Sequence, residues 1–290
     1  MEIFVDFTFQ RVALGSFLLG IICGAVGSFA VLRKQALLGD GISHGALPGV
    51  AAAFLLTGSR DGVNLLLGAL ASGAVSVFLI GRAVKKTRLK HDAALASVMS
   101  VMFGLGTVLL TYAQKLPNAN QAGLERFIYG QASAISDGDL LLTAVCCCGS
   151  LMVLLLFRKE LKVFAFDPHY AAQLGFNCGF LNVILSLLTI AAVIVGLQTV
   201  GAVLMSAMLV TPAVAARQWT DRLWVMVLLA SAIGGFSGVA GTYVSSVCEN
   251  VPTGPAIVAA VTVLAVFSLL FAPKRGIFSR LRRRKLHTAP

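Results

Sequence analysis

The chain alternates between long apolar runs and short polar stretches. Nine runs stand out, near residues 12–32, 36–56, 62–81, 93–113, 138–157, 180–197, 200–216, 223–247 and 255–272. Most come close to the roughly 20 residues that an α-helix needs to cross a hydrocarbon core of about 30 Å. They lack the period-two alternation that a membrane β-barrel requires. The pattern predicts an all-α polytopic membrane protein, a single transmembrane domain over 1–290 with about nine transmembrane helices. Only Gly196-Leu197-Gln198-Thr199-Val200-Gly201 divides the sixth run from the seventh. The segment 180–216 therefore reads either as two spans or as one kinked unit.

The polar stretches set the expected sidedness. Arg33-Lys34, Arg82 to Lys90, Arg158 to Lys162, Arg217 to Arg222 and the tail from Lys274 fall on one side. They hold all but Arg11, Arg60, Lys115 and Arg126 of the 23 lysines and arginines. Cytoplasmic loops carry such an excess. The expectation is an N-terminus outside, a C-terminus in the cytoplasm and a basic cytoplasmic tail over 274–290. Two connections are long. The external loop 114–137 contains Leu124-Glu125-Arg126-Phe127-Ile128-Tyr129. The cytoplasmic loop 158–179 contains Asp167, Pro168, Ala171, Leu174 and Gly175. Asp at an N-cap, Pro at the first helical position and Gly past the end predict a two-turn helix there. Such a helix either docks a partner or only orders the loop.

Composition narrows the class. The chain is 58% hydrophobic and 12% charged, too apolar for a soluble domain of 290 residues. Its formal charge of +11 does not indicate nucleic acid, because the basic residues flank apolar runs as topology signals. No CxxC pair occurs among the six cysteines, so neither a zinc site nor a disulfide framework is indicated. Glu2 and Asp6 occupy the N-terminus where a cleaved signal would be basic. Gly20 with Gly24, and Gly234 with Gly238, are spaced for close helix packing.

One run carries unexpected chemistry. Asp40 is the only carboxylate well inside a run, and His44 is the only histidine inside one. At i and i+4 they share one helix face. An ionisable group at that depth costs about 2.5 kcal/mol or more and usually marks an ion or substrate path. Asp40 alternatively caps a helix start, or the two groups neutralise each other. Carboxylate plus imidazole suits a divalent transition metal over magnesium or calcium. No thiolate accompanies them, so a tight structural zinc site is not expected. Gly39, Gly41, Gly45, Pro48 and Gly49 are expected to break the helix near the pair and free carbonyls toward a cavity. Gln198, Met205, Met208, Glu249 and Asn250 are further polar or soft candidates for ligation. A proton relay is the alternative use of Asp and His. No GxxxxGK[ST] phosphate loop is present, so ATP-driven transport would need its ATPase on another chain.

The stretch Leu38-Gly39-Asp40-Gly41-Ile42-Ser43-His44-Gly45-Ala46-Leu47-Pro48-Gly49 resembles the signature of the membrane permease subunits of manganese, zinc and iron ABC importers, the ABC-3 type. Phe166-Asp167-Pro168 with Ala171 and Leu174-Gly175 resembles that family's cytoplasmic coupling segment. Val195-Gly196 through Leu204, then Thr211-Pro212-Ala213-Val214-Ala215-Ala216-Arg217, is similar to its late helix. The loop at Glu125 departs from the family form, with Gly123 before Leu124. The resemblance implies a type II importer in a bacterial inner membrane, built from two permease subunits (this chain twice, or this chain and a paralogue) and two ATPase subunits. It implies transported Mn2+ or Zn2+, with Fe2+ tolerated, and no permanently bound cofactor. Asp40 and His44 would coordinate the ion, an external solute-binding protein would deliver it, and the coupling segment would sit in the ATPase. The alternative is a stand-alone proton-coupled metal transporter.

Overall fold

The computed structural model of the chain describes residues 7–58, 62–115, 136–248 and 251–276. Within them every apolar run becomes a long helix. These are α1 (Phe7–Leu32), α2 (Leu38–Thr57), α3 (Gly62–Lys86), α4 (His91–Gln114), α5 (Asp137–Leu156), α8 (Cys178–Thr199), α9 (Ala202–Trp219), α10 (Leu223–Val247) and α11 (Thr253–Phe271). A helix satisfies its own amides and carbonyls, which a water-free bilayer core demands. Several helices outrun the apolar runs that mark them, because polar residues at a span's end stay helical. The loop expected over 158–179 is mostly helix as well: α6 (Arg158–Phe166) and α7 (Pro168–Gln173). α6 buries Leu161, Phe164 and Ala165 on one face, an i, i+3, i+4 spacing that hydropathy alone passes over. The motif at 124–129, Glu249, Asn250 and most of the basic tail lie outside the described residues.

Small residues bring the central helices together. α1 and α10 run antiparallel, with Gly20 against Gly234, Gly24 against Ala230 and Ser16 against Gly238. A Cβ at any of these glycines would collide with the opposite backbone, so the expected small-xxx-small pairs form one seam. Ser231 Oγ crosses it to donate to the Ile21 carbonyl at 3.2 Å.

The chain reverses between α8 and α9. Gly201 adopts φ +87°, where an L side chain is strained. Val200 lies beside Gly254 at the start of α11. α9 then runs along α11, and Asp221 beyond its end meets Lys274 and Arg275 beyond the end of α11. α8 points the other way, from Arg33 at the end of α1 to Gly62 at the start of α3.

Among the described residues, seven helices are long and apolar enough to cross a membrane: α1, α3, α4, α5, α8, α10 and α11. α2 and α9 fall outside this set, and both lie inside the bundle. α2 packs on α3, α4, α8 and α9, while α9 packs on α1, α2, α10 and α11. An enclosed helix meets protein instead of lipid, so it tolerates glycine, proline and ionisable residues. The two long helices that fall short of that length and apolarity are thus the enclosed ones.

Candidate metal path

α2 begins at Leu38, and Leu37 at its N-cap offers no side-chain bond. Asp40 lies within the first turn and does not cap the helix. The helix dipole favours a carboxylate there by ~0.3–1 kcal/mol, which offsets part of its insertion cost. One turn later, His44 Nε2 lies 3.5 Å from Asp40 Oδ1. That separation is too long for a strong hydrogen bond. The two groups face a common space without locking to each other, and 23% of the His44 and 29% of the Asp40 side chain remains accessible. The His44 ring meets Phe103 of α4 edge-on, with centroids 5.0 Å apart and planes at 87°. Among the described residues, no group of three or more His, Cys, Asp or Glu side chains gathers into a metal cage.

The expected helix breaks do not occur. α2 runs unbroken through Gly39, Gly41, Gly45, Pro48 and Gly49. These residues serve close approach by three neighbours. Gly39 leaves room for Leu209 of α9, Gly41 for Leu95 of α4, Gly45 for Ser76 of α3, and Gly49 meets Gly68 of α3 backbone to backbone. Gly106 of α4 packs against the Pro48 ring nitrogen. Pro48 still has one backbone effect. Lacking an N–H, it leaves the His44 carbonyl without its i+4 donor. Ser72 Oγ, from α3, donates to the Gly45 carbonyl at 2.6 Å and ties the next residue of the same turn. The helix bearing the pair is therefore rigid and clamped. Of the softer candidates, Met205 packs its sulfur against Gly196, Met208 is fully buried and Gln198 lies near Gly62 at the far end of α8.

The motif over 166–175 folds as its residue types dictate. Asp167 Oδ1 accepts from the His169 and Tyr170 amides at 2.9 and 3.0 Å, and Pro168 opens the helix. Gly175 closes it with φ +84°, its amide bonded to the Ala172 carbonyl and that of Phe176 to Ala171. Ala171 points inward and is fully buried. Of the five motif residues, Leu174 is the large exposed one, and Phe166 and Tyr170 join it at i, i+4, i+8 spacing, each about half exposed.

A model of the ABC 3 transport family matches residues 6–272. The chain belongs to this family. It is 45% identical over 98% of its length to the zinc transport system membrane protein TroC of Treponema pallidum (strain Nichols), covering 96% of that protein. It is 44% identical to the manganese transport system membrane protein MntC of Bacillus subtilis (strain 168), matching 95% of this chain but spanning 65% of that relative's length. Among solved structures it resembles PsaBC from Streptococcus pneumoniae in complex with Fab. The TM-score is 0.84 at 29% identity, covering 97% of this chain and 96% of that one. A member of the ABC 3 transport family is a transport subunit and no enzyme, and its apolar helices make it a multi-pass membrane protein.

Three residues around these candidate positions are ones that pattern alone does not single out. Phe103 orients the imidazole and Tyr170 projects from α7. Arg33 closes α1, where it contacts α6 and α8. Phe103 lies in an apolar run like any other, and Arg33 counts in the sequence only as a topology charge. Burial draws the Arg33 guanidinium below its ordinary pKa, against the influence of Cys178.

Proposed function

We propose that this chain is the permease subunit of an ATP-driven ABC importer of divalent transition metal ions, manganese or zinc, in a bacterial inner membrane. The carrying observation is the Asp40–His44 pair, half-open on the enclosed helix α2. The relatives reported are named for zinc or manganese transport. Two protein donors suit a transit site that must release its ion, whereas four would suit storage. The imidazole favours Mn2+ and Zn2+ over Mg2+ and Ca2+, and the carboxylate supplies charge. These donors also tolerate iron.

The nine long helices would all cross the bilayer, N-terminus outside and C-terminus inside. Contacts among their ends support this. Arg11 and Asp137 pair on one side at 2.6 Å. The lysine- and arginine-rich connections, joined by Arg33 and by Asp221, gather at the opposite ends. The partners are two ATPase subunits, an external metal-binding protein and a second permease, either this chain or a paralogue. The ATPase would receive α7 through Phe166, Tyr170 and Leu174, with Asp167, Pro168, Ala171 and Gly175 shaping the helix. ATP hydrolysis on those partners would drive alternating exposure of the pair.

The test is Mn2+ and Zn2+ uptake with the partner subunits present. Losing a supporting residue of a metal site costs ~10–100-fold in affinity, so Asp40→Ala and His44→Ala should each abolish uptake while the ATPase still co-purifies. Normal uptake in both variants removes the site. Uptake that needs no ATPase and collapses with the proton gradient would instead establish a stand-alone transporter.

A further inference from the structure

The turn between α1 and α2 touches both flanks of the cytoplasmic helix α7 through one side chain. Arg33 Nη1 donates to Asn182 Oδ1 at 2.8 Å, in the first turns of α8. The same guanidinium lies 4.3 Å from the ring centroid of Phe164 on α6. α6 leads into α7 and α8 follows it, and Cys178 Sγ lies 3.3 Å from the Pro168 carbonyl, holding the start of α8 against the start of α7. Phe164, Leu161 and Ala171 are buried, so α6 and α7 are packed on the bundle and are not free loops. A displacement of α7 therefore reaches Arg33 from two directions.

From Arg33 the path to the metal pair is short and stiff. Asp40 follows seven residues later. The intervening turn is closed by backbone hydrogen bonds, Lys34 to Val31, Gln35 to Ala30, Leu38 to Gln35 and Gly41 to Leu37, all 2.9–3.1 Å. The first two form a Schellman motif, with Lys34 at φ +57° in the place usually given to glycine. A short turn held by four such bonds resists bending, so displacement at Arg33 passes into α2 instead of being absorbed. The contacts to Asn182 and Phe164 are to a neutral amide and a ring. Each is of modest strength and can be remade in a second arrangement.

We propose that Arg33 is the positioning residue that transmits movement of the α6–α7 segment to the helix bearing Asp40 and His44, and so couples ATP hydrolysis to exposure of the metal. This rests on the reading of α2 as the metal helix and α7 as the ATPase dock. Arg33 binds neither the metal nor the ATPase in this role. Its guanidinium works as a two-contact clamp, and lysine, a point charge with no planar fork, replaces it only in part.

The experiment uses the full permease–ATPase complex in proteoliposomes, with Mn2+ as the probe. Three quantities are read: Mn2+ bound at equilibrium, ATP hydrolysed and Mn2+ imported. Arg33→Ala should keep Mn2+ binding and ATPase co-purification within about twofold of native while Mn2+ imported per ATP falls about tenfold or more. Arg33→Lys should fall between. Asn182→Ala should lower the same ratio, and adding it to Arg33→Ala should cause little further loss, as two ends of one link require. An unchanged ratio in Arg33→Ala overturns the inference, and so does loss of the ATPase from the complex, which would make Arg33 a structural prop. A native complex that imports Mn2+ without ATP overturns the transport reading and this inference together. ATP-dependent import with an indifferent Arg33 overturns this inference alone.

Discussion

The value of His44 lies in being held without being bound. Its 3.5 Å separation from Asp40 leaves both groups able to receive an ion. Phe103, meeting the ring edge-on, removes rotational freedom that binding would otherwise have to freeze. Such a ring pair contributes ~0.5–1.5 kcal/mol, which is up to about tenfold in affinity. Phe103→Ala should therefore raise the KM for Mn2+ uptake by roughly 2–10-fold with little change in maximal rate. Phe103→Tyr, which keeps the ring, should stay near native. Concentration-dependent uptake of radiolabelled Mn2+ separates this from Asp40→Ala, where the rate itself disappears. A Phe103→Ala variant with native KM would show that α4 only packs there. Asp40 and His44 were legible in the sequence because a charge is conspicuous in an apolar run. Phe103 was not, since its meaning comes from a contact between α2 and α4.

At the scale of the helix, glycine does different things at different positions, and the sequence does not distinguish them. Gly39 to Gly49 read as helix breakers, yet α2 is continuous. The amide and carbonyl of a glycine serve an α-helix as well as any other, and what the missing Cβ supplies here is space. At Gly49 the atom in the way of a Cβ is the Gly68 carbonyl oxygen, with the Ser72 Cβ behind it. Backbone cannot rotate aside, so Gly49→Ala must separate α2 from α3, and overpacking of this kind costs ~1–3 kcal/mol. At Gly81, also helical, a Cβ meets nothing within 4 Å. There alanine removes backbone freedom from the unfolded chain and should be neutral or stabilising by up to ~1 kcal/mol. Thermal unfolding of the two variants in detergent should move in opposite directions, or at least separate clearly. Equal shifts would mean that α2 and α3 are not clamped at this seam. The helices themselves were largely legible because hydropathy and helix length are set by the same bilayer thickness. α6 was not, because an amphipathic nine-residue helix carries its signal in periodicity and not in mean hydropathy.

Over the whole molecule, the enclosed helices α2 and α9 are packed among more apolar ones, and α2 carries the Asp40–His44 pair. That arrangement needs the ends of the enclosed helices to be fixed, and α9 is fixed at its C-terminal end by charge. Asp221, just past α9, accepts from Lys274 Nζ at 3.0 Å and from Arg275 Nη2 at 2.9 Å, which joins it to the end of α11. The Lys274 hydrogen bond, with the charges of Lys274, Arg275 and Arg217, holds the Asp221 carboxyl below its usual range, while desolvation works against them. A carboxylate whose folded pKa is depressed stabilises the fold fully above its unfolded value, near 3.9, and that contribution is lost as pH falls through the folded value. The clamp is exposed, so salt should weaken it. Asp221→Asn should lower the unfolding temperature slightly at neutral pH and low salt. The gap from native should stay level down to about pH 5, then close as the solution is acidified below the ordinary carboxylate range. It should also shrink in molar salt. A gap that persists unchanged at low pH would mean that Asp221 acts by shape and not by charge. The end of α9 would then be held by packing alone.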